Sequence, residues 1–414
     1  MKRLIPFLAA AFAVMAVPSA SGADETGPPF WLTRDTLSGP WFGLRTALSD
    51  RGVNLHIRYT AEIWSNTSGG TSRGSVYTGL VEFGGEADLE KLTGWEGTTF
   101  YHSWFAPHGR DLSTEYVGNR FTVSNAAAFN SLYLYQLWVQ QTFFDERFSL
   151  RIGQLAADEE FAGSDYGALF LNAAFGWPPF IAENVANVGP AFPKGAPGMR
   201  LALRPLERLT VQSALYQGDP FEDAHNPHGL RWRLGRATGW LWMNELQLRW
   251  AASGDGPGRP GGLKLGFWHQ WRPDEERLIT RGRNFGFYGV IDQSLRPPDA
   301  DRPDAGPGWF LRAGGGPQGG NAIGFYLDTG LRWKGLLASR PDDVLGVAFA
   351  WGKQTGDEMR RLRAEGPVSA RHEAVVELTC LCRLTPWFAI QPDVQWIFNP
   401  EGAVVVGARA VIAF

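Results

Sequence analysis

The chain alternates apolar and polar residues over many short segments, and the last segment reaches the C-terminus. In that segment the residues of one parity are apolar and end on an aromatic: Val404, Val406, Ala408, Ala410, Ile412 and Phe414. The other parity holds smaller residues together with Arg409. Because successive side chains of a strand point to opposite faces, this pattern predicts a strand with one apolar face. Such a terminal strand is typical of an outer-membrane β-barrel, where one face meets lipid and the other a water-filled lumen.

Similar amphipathic segments recur along the chain from residue 53 onward, roughly sixteen in all, and bacterial barrels require an even number. They begin near residues 53, 76, 97, 132, 148, 199, 209, 240, 263, 284, 308, 323, 344, 373, 387 and 403. We therefore predict an all-β fold, a transmembrane antiparallel β-barrel of about 16 strands over residues 53–414.

The connections between these segments alternate in length. Tight turns are predicted at residues 145–147, 205–208 and 385–386, and long connections at residues 107–131, 156–198, 218–239 and 354–372. Short turns on one rim and long loops on the other are typical of outer-membrane barrels. The connection at residues 294–307 is longer than this rule expects for its rim.

The N-terminus has the pattern of a secretory signal. Lys2 and Arg3 precede an apolar run at residues 4–17, which is shorter than the ~20 residues of a spanning helix, and small residues follow. We predict a signal peptide at residues 1–23, cleaved after Ala23, and a periplasmic segment at residues 24–52. A short helix is expected within residues 39–52, and its apolar stripe consists of Trp41, Leu44 and Leu48. The predicted location is the outer membrane of a Gram-negative bacterium, and the strand ending at Phe414 is the segment expected to engage the barrel-assembly machinery.

Composition narrows the classes of function. The chain has 18 Trp, 27 Phe and 10 Tyr without a second long apolar run, which suits strands whose lipid face is every second residue. A net charge of −3 gives no indication of nucleic-acid binding. Only His225 and His228 cluster among the histidines, so neither a metal site nor a cofactor is predicted.

The charged residues of the strands are expected to face the lumen, because an Arg or Lys on the lipid face costs about 2–4 kcal/mol at the bilayer midplane. These lumen positions are Arg58, Arg151, Arg200, Arg204, Arg249, Lys264, Arg332, Arg383, Arg409, Glu62, Glu82, Glu86, Asp88, Glu245, Asp328, Glu377 and Asp393. Both signs occur at similar frequency, which argues against a dedicated anion pore.

Several motifs carry a family resemblance. Between residues 132 and 198 they are Leu132–Gln141, Phe143–Phe144, Leu150–Gln154, Ala157–Phe161, Leu169–Asn172, Phe175–Pro178, Gly189–Pro190 and Ala196–Gly198. Residues 39–53 and 385–400 agree as well. With these motifs the chain resembles the carbohydrate-selective porins of the OprB type. The resemblance implies a 16-stranded barrel that conducts small neutral sugars and is a monomer rather than a trimer. The chain departs from the family in the short loop at residues 399–402, where Glu401 replaces a common Gly.

The long connection at residues 156–198 is the predicted constriction, since long loops in compact domains are usually functional and its aromatic content argues against disorder. We expect it to fold inward and narrow the pore. The predicted pore-lining residues are Arg58, Glu82, Gln136, Trp138, Gln140, Arg151, Glu159, Phe161, Phe175, Trp177, Arg200 and Asp393. For any single aromatic of the loop, packing against the barrel wall is the alternative role.

The sequence thus predicts a porin, and not an enzyme, for passive carbohydrate-selective diffusion of monosaccharides into the periplasm. A general diffusion porin or a surface-adhesion barrel is the alternative, because fold alone does not settle function. An outer-membrane esterase is a third reading, because residues 70–74 match G-x-S-x-G around Ser72. That motif needs a strand–turn–helix context, whereas here it lies between two predicted strands.

Overall fold

The computed structural model describes residues 30–220, 226–232, 234–235, 238–250, 258–271, 283–299, 301–365 and 371–414. The predicted signal peptide, residues 1–23, and His225 lie outside the described residues. The strands are β1 (Val53–Gly69), β2 (Gly74–Asp88), β3 (Thr98–Gly109), β4 (Tyr133–Phe143), β5 (Phe148–Leu155), β6 (Ala196–Leu206), β7 (Leu209–Gln217), β8 (Trp240–Trp250), β9 (Gly261–Trp271), β10 (Arg283–Ser294), β11 (Gly306–Gly315), β12 (Ile323–Lys334), β13 (Val344–Gln354), β14 (His372–Thr385), β15 (Phe388–Phe398) and β16 (Ala403–Ala413).

These sixteen strands form one closed barrel in which every strand is antiparallel to the next and β16 pairs with β1. At the closing seam Glu62 lies opposite Arg409, and on its other side Glu62 lies opposite Thr78. Each strand begins within three residues of its predicted start. The predicted fold class is therefore confirmed, and closure leaves no free strand edge.

Strand register explains the sequence alternation. Large apolar residues of the outward parity are exposed, as for Ile63, Leu265, Phe287 and Val347. The strands contain ten carboxylates, and the register places all ten on the inner face. This is the arrangement that an apolar outer solvent and an aqueous interior impose.

The N-terminal segment lies against the rim that carries both chain ends. It contains helix α1 (Phe30–Thr33), a 3₁₀ turn (Trp41–Gly43) and helix α2 (Leu44–Asp50). The Leu37 N–H donates to the Ala413 carbonyl over 2.8 Å, and Arg45 donates to the carbonyl of Phe414 over 2.7 Å. The predicted helix is present, but the predicted stripe is not fully packed, because Leu44 is 56% exposed.

The remaining helices lie in connections: α3 (Leu89–Thr93), α4 (Pro179–Ala182) and α5 (Gly356–Glu365). Within the described part of the chain, no helix combines the length and apolarity needed to span a bilayer. The β10–β11 connection is long, as the sequence indicated, yet the register on both sides of it is continuous.

Candidate functional site

The connection between β5 and β6, residues 156–195, runs inside the barrel, and we call it the inner loop. Its backbone N–H groups bind carboxylates of the barrel wall. The Ala162 N–H donates to Glu245 over 2.9 Å, and the Leu171 and Asn172 N–H groups donate to Glu377 over 2.6 and 2.9 Å. These charge-assisted bonds fix two distant points of the inner loop to opposite parts of the wall.

A buried ion pair holds the middle of the inner loop. Arg312 and Asp328 pair across β11 and β12, and both side chains are 0% exposed. Arg312 also donates to four carbonyl groups of the inner loop over 2.8–2.9 Å: those of Ala162, Ala174, Phe175 and Gly176. One guanidinium therefore satisfies carbonyls that lie 14 positions apart in sequence, which gathers that part of the loop against the wall.

A second connection, residues 110–132, packs beside the inner loop. The Phe121 N–H donates to Glu373 over 2.7 Å, and Asn172 of the inner loop donates to the Phe121 carbonyl over 2.9 Å. On β1, Glu62 accepts from Ser124 and from Arg409. Together the two loops cover the wall from β8 round to β1.

The wall from β1 to β5 retains an accessible polar surface beside the inner loop. At the edge of this surface Glu160 bridges Arg151 of β5 at 2.6 Å and Arg200 of β6 at 2.7 Å, and these three side chains are only 8–18% exposed. Both guanidiniums also donate to Gln140 over 2.9 Å. Gln140, Arg151 and Arg200 were predicted from the sequence to lie together beside the loop, and the structure brings them together.

A stack of flat side chains lines the same wall. The His56 and Tyr101 rings stack at 6.1 Å, the Tyr101 and Trp138 rings at 5.0 Å, and the Arg151 guanidinium lies 3.8 Å from the Trp138 ring. His56 and Tyr101 were not among the predicted site residues. His56 shares the strand parity of Arg58, which is the sequence signal that could have found it.

An ionic cluster lies next to this stack. Arg58, whose side chain is 54% exposed, donates through Nε to Glu82 over 2.8 Å, and His56 approaches Glu82 at 3.7 Å. On the inner loop, burial and the charge of Glu82 raise the pKa of Glu159. Both signs of charge therefore lie within reach of a solute passing this wall.

The entry of the inner loop contains a hydrogen-bonded carboxyl. Asp158 accepts from the Tyr135 hydroxyl over 2.8 Å and from the Phe192 N–H over 2.9 Å. Burial, followed by the neighbouring Glu159 charge, raises the pKa of Asp158 to about 7. These two hydrogen bonds hold the entry of the loop onto β4.

Three predicted pore-lining residues are almost completely buried, at no more than 2% exposure. Phe161 and Phe175 are 1% exposed and Asp393 is 2% exposed. Phe161 packs edge-on against Tyr216, and Phe175 packs against Phe170. The prediction is corrected for these three residues, because they fill the space between the loops and the wall.

The other predicted residues differ in exposure. Gln136 and Trp138 are each 7% exposed, and Gln136 accepts from the Trp138 indole over 3.1 Å, so both act mainly as wall packing. Trp177 is partly exposed and donates to the Val188 carbonyl over 2.9 Å. Trp177 therefore packs against the buried cluster and keeps only part of its surface exposed.

A closed barrel with an apolar outer face, a polar inner face and a loop fixed inside it defines a porin, a channel of the Gram-negative outer membrane. The chain belongs to the carbohydrate-selective porin, OprB family, whose model matches residues 72–414. The fold is similar to the high-pH structure of OprB from Pseudomonas putida, with a TM-score of 0.82 and 21% identity over 94% of this chain and 100% of that chain.

Two sequence relatives extend the comparison. Porin B of Pseudomonas aeruginosa is 23% identical over 98% of this chain and 96% of its own length. The putative porin QuiX of Acinetobacter baylyi is 22% identical over 90% of each. These relatives are porins, which are channels rather than enzymes. Ser72 of the esterase-like motif lies in a short connection between β1 and β2, without the helix that a nucleophile turn requires.

Proposed function

We propose that this porin carries out passive diffusion of neutral monosaccharides into the periplasm through a route that the inner loop narrows against the wall from β1 to β5. The observation that supports the proposal is the attachment of the inner loop to inward-facing side chains of β8, β11 and β14, through Glu245, Arg312 and Glu377. A loop held by buried charged groups at three points keeps one position in the lumen and leaves the opposite wall open.

The open wall suits a sugar. Sugars present hydroxyl groups in the ring plane and apolar C–H groups on the faces. Arg58, Glu82 and Arg151 offer donors and acceptors for the hydroxyls, and the His56 ring, at the exposed end of the stack with Tyr101, offers a flat surface for a C–H face. Single contacts of this kind are weak, which permits release on the far side.

Deletion of residues 161–190 tests the role of the inner loop. The Ala157 N–H donates to the Pro190 carbonyl over 2.6 Å, so the two ends of the deleted stretch already lie side by side. We expect the deletion to raise single-channel conductance in a planar bilayer and to abolish the block of current by glucose. The matched control removes Gln318–Gly320 from the β11–β12 connection on the same rim. An intact barrel with unchanged conductance would refute the proposed narrowing.

Liposome swelling separates selective from general diffusion. Glucose, arabinose, a disaccharide and an amino acid of similar size are compared in vesicles that contain the purified protein. A carbohydrate-selective channel passes the monosaccharides faster than the amino acid of matched mass. Rates that depend on mass alone would favour a general diffusion porin.

The route to the membrane is part of the same proposal. The mature chain begins at Asp24 after signal cleavage, the C-terminal strand ending at Phe414 engages the barrel-assembly machinery, and the barrel functions as a monomer. N-terminal sequencing of protein purified from outer membranes checks the cleavage site. The mass of the detergent-solubilised protein checks the monomer.

A further inference from the structure

The carboxylates and the cations of the lumen wall differ in their access to water. Of the ten strand carboxylates, seven are at most 8% exposed: Glu62, Glu245, Asp292, Asp328, Glu373, Glu377 and Asp393. Most of them accept hydrogen bonds from the two loops, as Glu245, Glu373 and Glu377 do from backbone N–H groups. The three carboxylates that are more exposed all belong to β2.

The cations of the wall remain accessible. The register places eleven Arg and Lys residues of the described strands on the inner face, and among them only Arg200 and Arg312 are less than 9% exposed. The other nine keep contact with the aqueous side: Arg58, Arg151, Arg204, Arg249, Lys264, Arg332, Lys334, Arg383 and Arg409. Over the strand residues, a wall that is balanced in composition is therefore cationic in its accessible charge, and of the nine cations Lys264 and Lys334 pair with the exposed loop carboxylates Asp165 and Asp304.

Four of these cations form an arc at one height. Arg204, Arg249, Arg332 and Arg383 lie one or two residues before the ends of β6, β8, β12 and β14, on the rim that carries the chain ends. We call them the arginine arc. Among the described residues, none of the four has a carboxylate within 4.0 Å. The acidic strand β2 lies on the other side of the barrel, where Arg58 pairs with Glu82, whereas the arginine arc has no carboxylate of the described strands beside it.

One member of the arc is held by the inner loop. The Arg332 guanidinium lies 4.3 Å from the Tyr166 ring, and its Nε has no hydrogen-bond partner among the described groups. The Tyr166 ring packs on Gly308, where a Cβ would lie 2.7 Å from it. The Tyr166 ring therefore fixes the orientation of the Arg332 guanidinium, whose Nε is itself buried, beside the inner loop.

We propose that the arginine arc makes the end of the aqueous route at this rim select for anions and that the channel also conducts sugar acids, which combine the hydroxyls of a sugar with one carboxylate. The proposal rests on the loop-narrowed aqueous route proposed above. Guanidinium groups bind carboxylates in a two-point geometry, and cations lining a low-dielectric wall raise the local concentration of anions. The local concentration of neutral sugars is not raised by this field. The arginine arc therefore widens the range of permeant solutes to anions without excluding neutral sugars.

The test is the zero-current potential of the full-length protein in a planar bilayer under a KCl gradient, followed by titration with gluconate and with glucose. We expect the wild-type channel to prefer chloride to potassium and to be blocked by gluconate at lower concentration than by glucose. In the variant Arg204→Gln/Arg249→Gln/Arg332→Gln/Arg383→Gln we expect the chloride preference to fall about threefold or more, because a potential change of about one kT alters anion concentration by that factor.

Two further variants keep the test decisive. Replacement of the same four residues by Lys keeps the charge and should retain the chloride preference. Arg363→Gln removes one exposed cation from α5 on the opposite rim and should change nothing. Heat-dependent electrophoretic mobility verifies that each barrel is folded. A conducting, sugar-blocked channel that permeates both ions equally would overturn the anion proposal, whereas a channel insensitive to deletion of residues 161–190 would overturn the narrowing on which it rests.

Discussion

Replacement of Arg312 is expected to release the inner loop while the barrel stays closed. The substitution Arg312→Met removes the partner of Asp328 and the donor to four loop carbonyls, including those of Ala162 and Ala174. The strand pairing of β11 with its neighbours uses backbone groups and is unaffected. The change is therefore directed at the loop and not at the wall.

The magnitude follows from the burial of the pair. Both side chains are 0% exposed, and breaking a buried ion pair by removing one partner costs about 3–5 kcal/mol. If that cost is relieved when the loop leaves the wall and water reaches Asp328, the equilibrium for detachment shifts by about a hundredfold to a thousandfold. The double variant Arg312→Met/Asp328→Leu removes both charges of this pair, and its loop should detach less often than that of the single variant.

Single-channel recording and limited proteolysis measure the detachment. Arg312→Met should show higher and noisier conductance, together with faster cleavage within residues 156–195. The matched control is Arg340→Met, which breaks an ion pair with Asp343 in the β12–β13 connection, where side chains are 20% and 11% exposed. A folded Arg312→Met barrel with wild-type conductance and wild-type protection of the loop would refute the assigned role of the arginine.

Two further predictions concern carboxylates of the inner loop. Glu160→Gln should weaken the attachment of the loop at its entry by about 2 kcal/mol, because two charge-assisted bonds to Arg151 and Arg200 become neutral ones. Proteolytic cleavage within residues 156–161 measures this change, and unchanged protection from cleavage would contradict the prediction. Burial raises the pKa of Glu183 from 4.5 to about 7, despite the adjacent Arg120, so the folded loop binds its proton more tightly than the unfolded chain does. Stability from this group is then complete below pH 4.5 and is lost as the pH rises towards about 7. Hydrogen exchange of residues 178–189, corrected for its intrinsic pH dependence, should show this loss, and Glu183→Gln should remove it.

The barrel was predictable from the sequence because its signal is local. Period-2 alternation and turn residues are properties of a few adjacent positions, and an apolar outer solvent makes the alternation strict. The strand at Val53 and the strand at Ala403 were located from these patterns alone. The long loop at residues 156–198 was also visible, since its length and aromatic content stand out in a chain of short connections.

The distribution of exposure inside the lumen was not predictable in the same way. Phe161 and Tyr101 are both aromatic and both lie near the pore, yet one is buried under the inner loop and the other stacks in the open wall. The difference depends on the path of the loop, which is set by contacts between residues more than 80 positions apart, such as Ala162 with Glu245. Parity identified the face of each strand residue, but it carried no information on what covers that face.

The attachment of the inner loop and the charge of the lumen have one physical origin. A carboxylate that binds loop N–H groups is withdrawn from water, so each attachment removes one negative charge from the surface that a solute meets. The two properties can be separated by mutation. Glu377→Gln should loosen the loop at Leu171 and leave ion selectivity nearly unchanged, because the lost charge was already covered. Arg383→Gln should lower anion preference and leave the loop in place, because the side-chain hydrogen bond that Arg383 makes within the described part of the chain goes to the Pro386 carbonyl of the adjacent turn. If the two substitutions instead changed both properties together, the loop attachments and the arginine arc would form a single electrostatic unit.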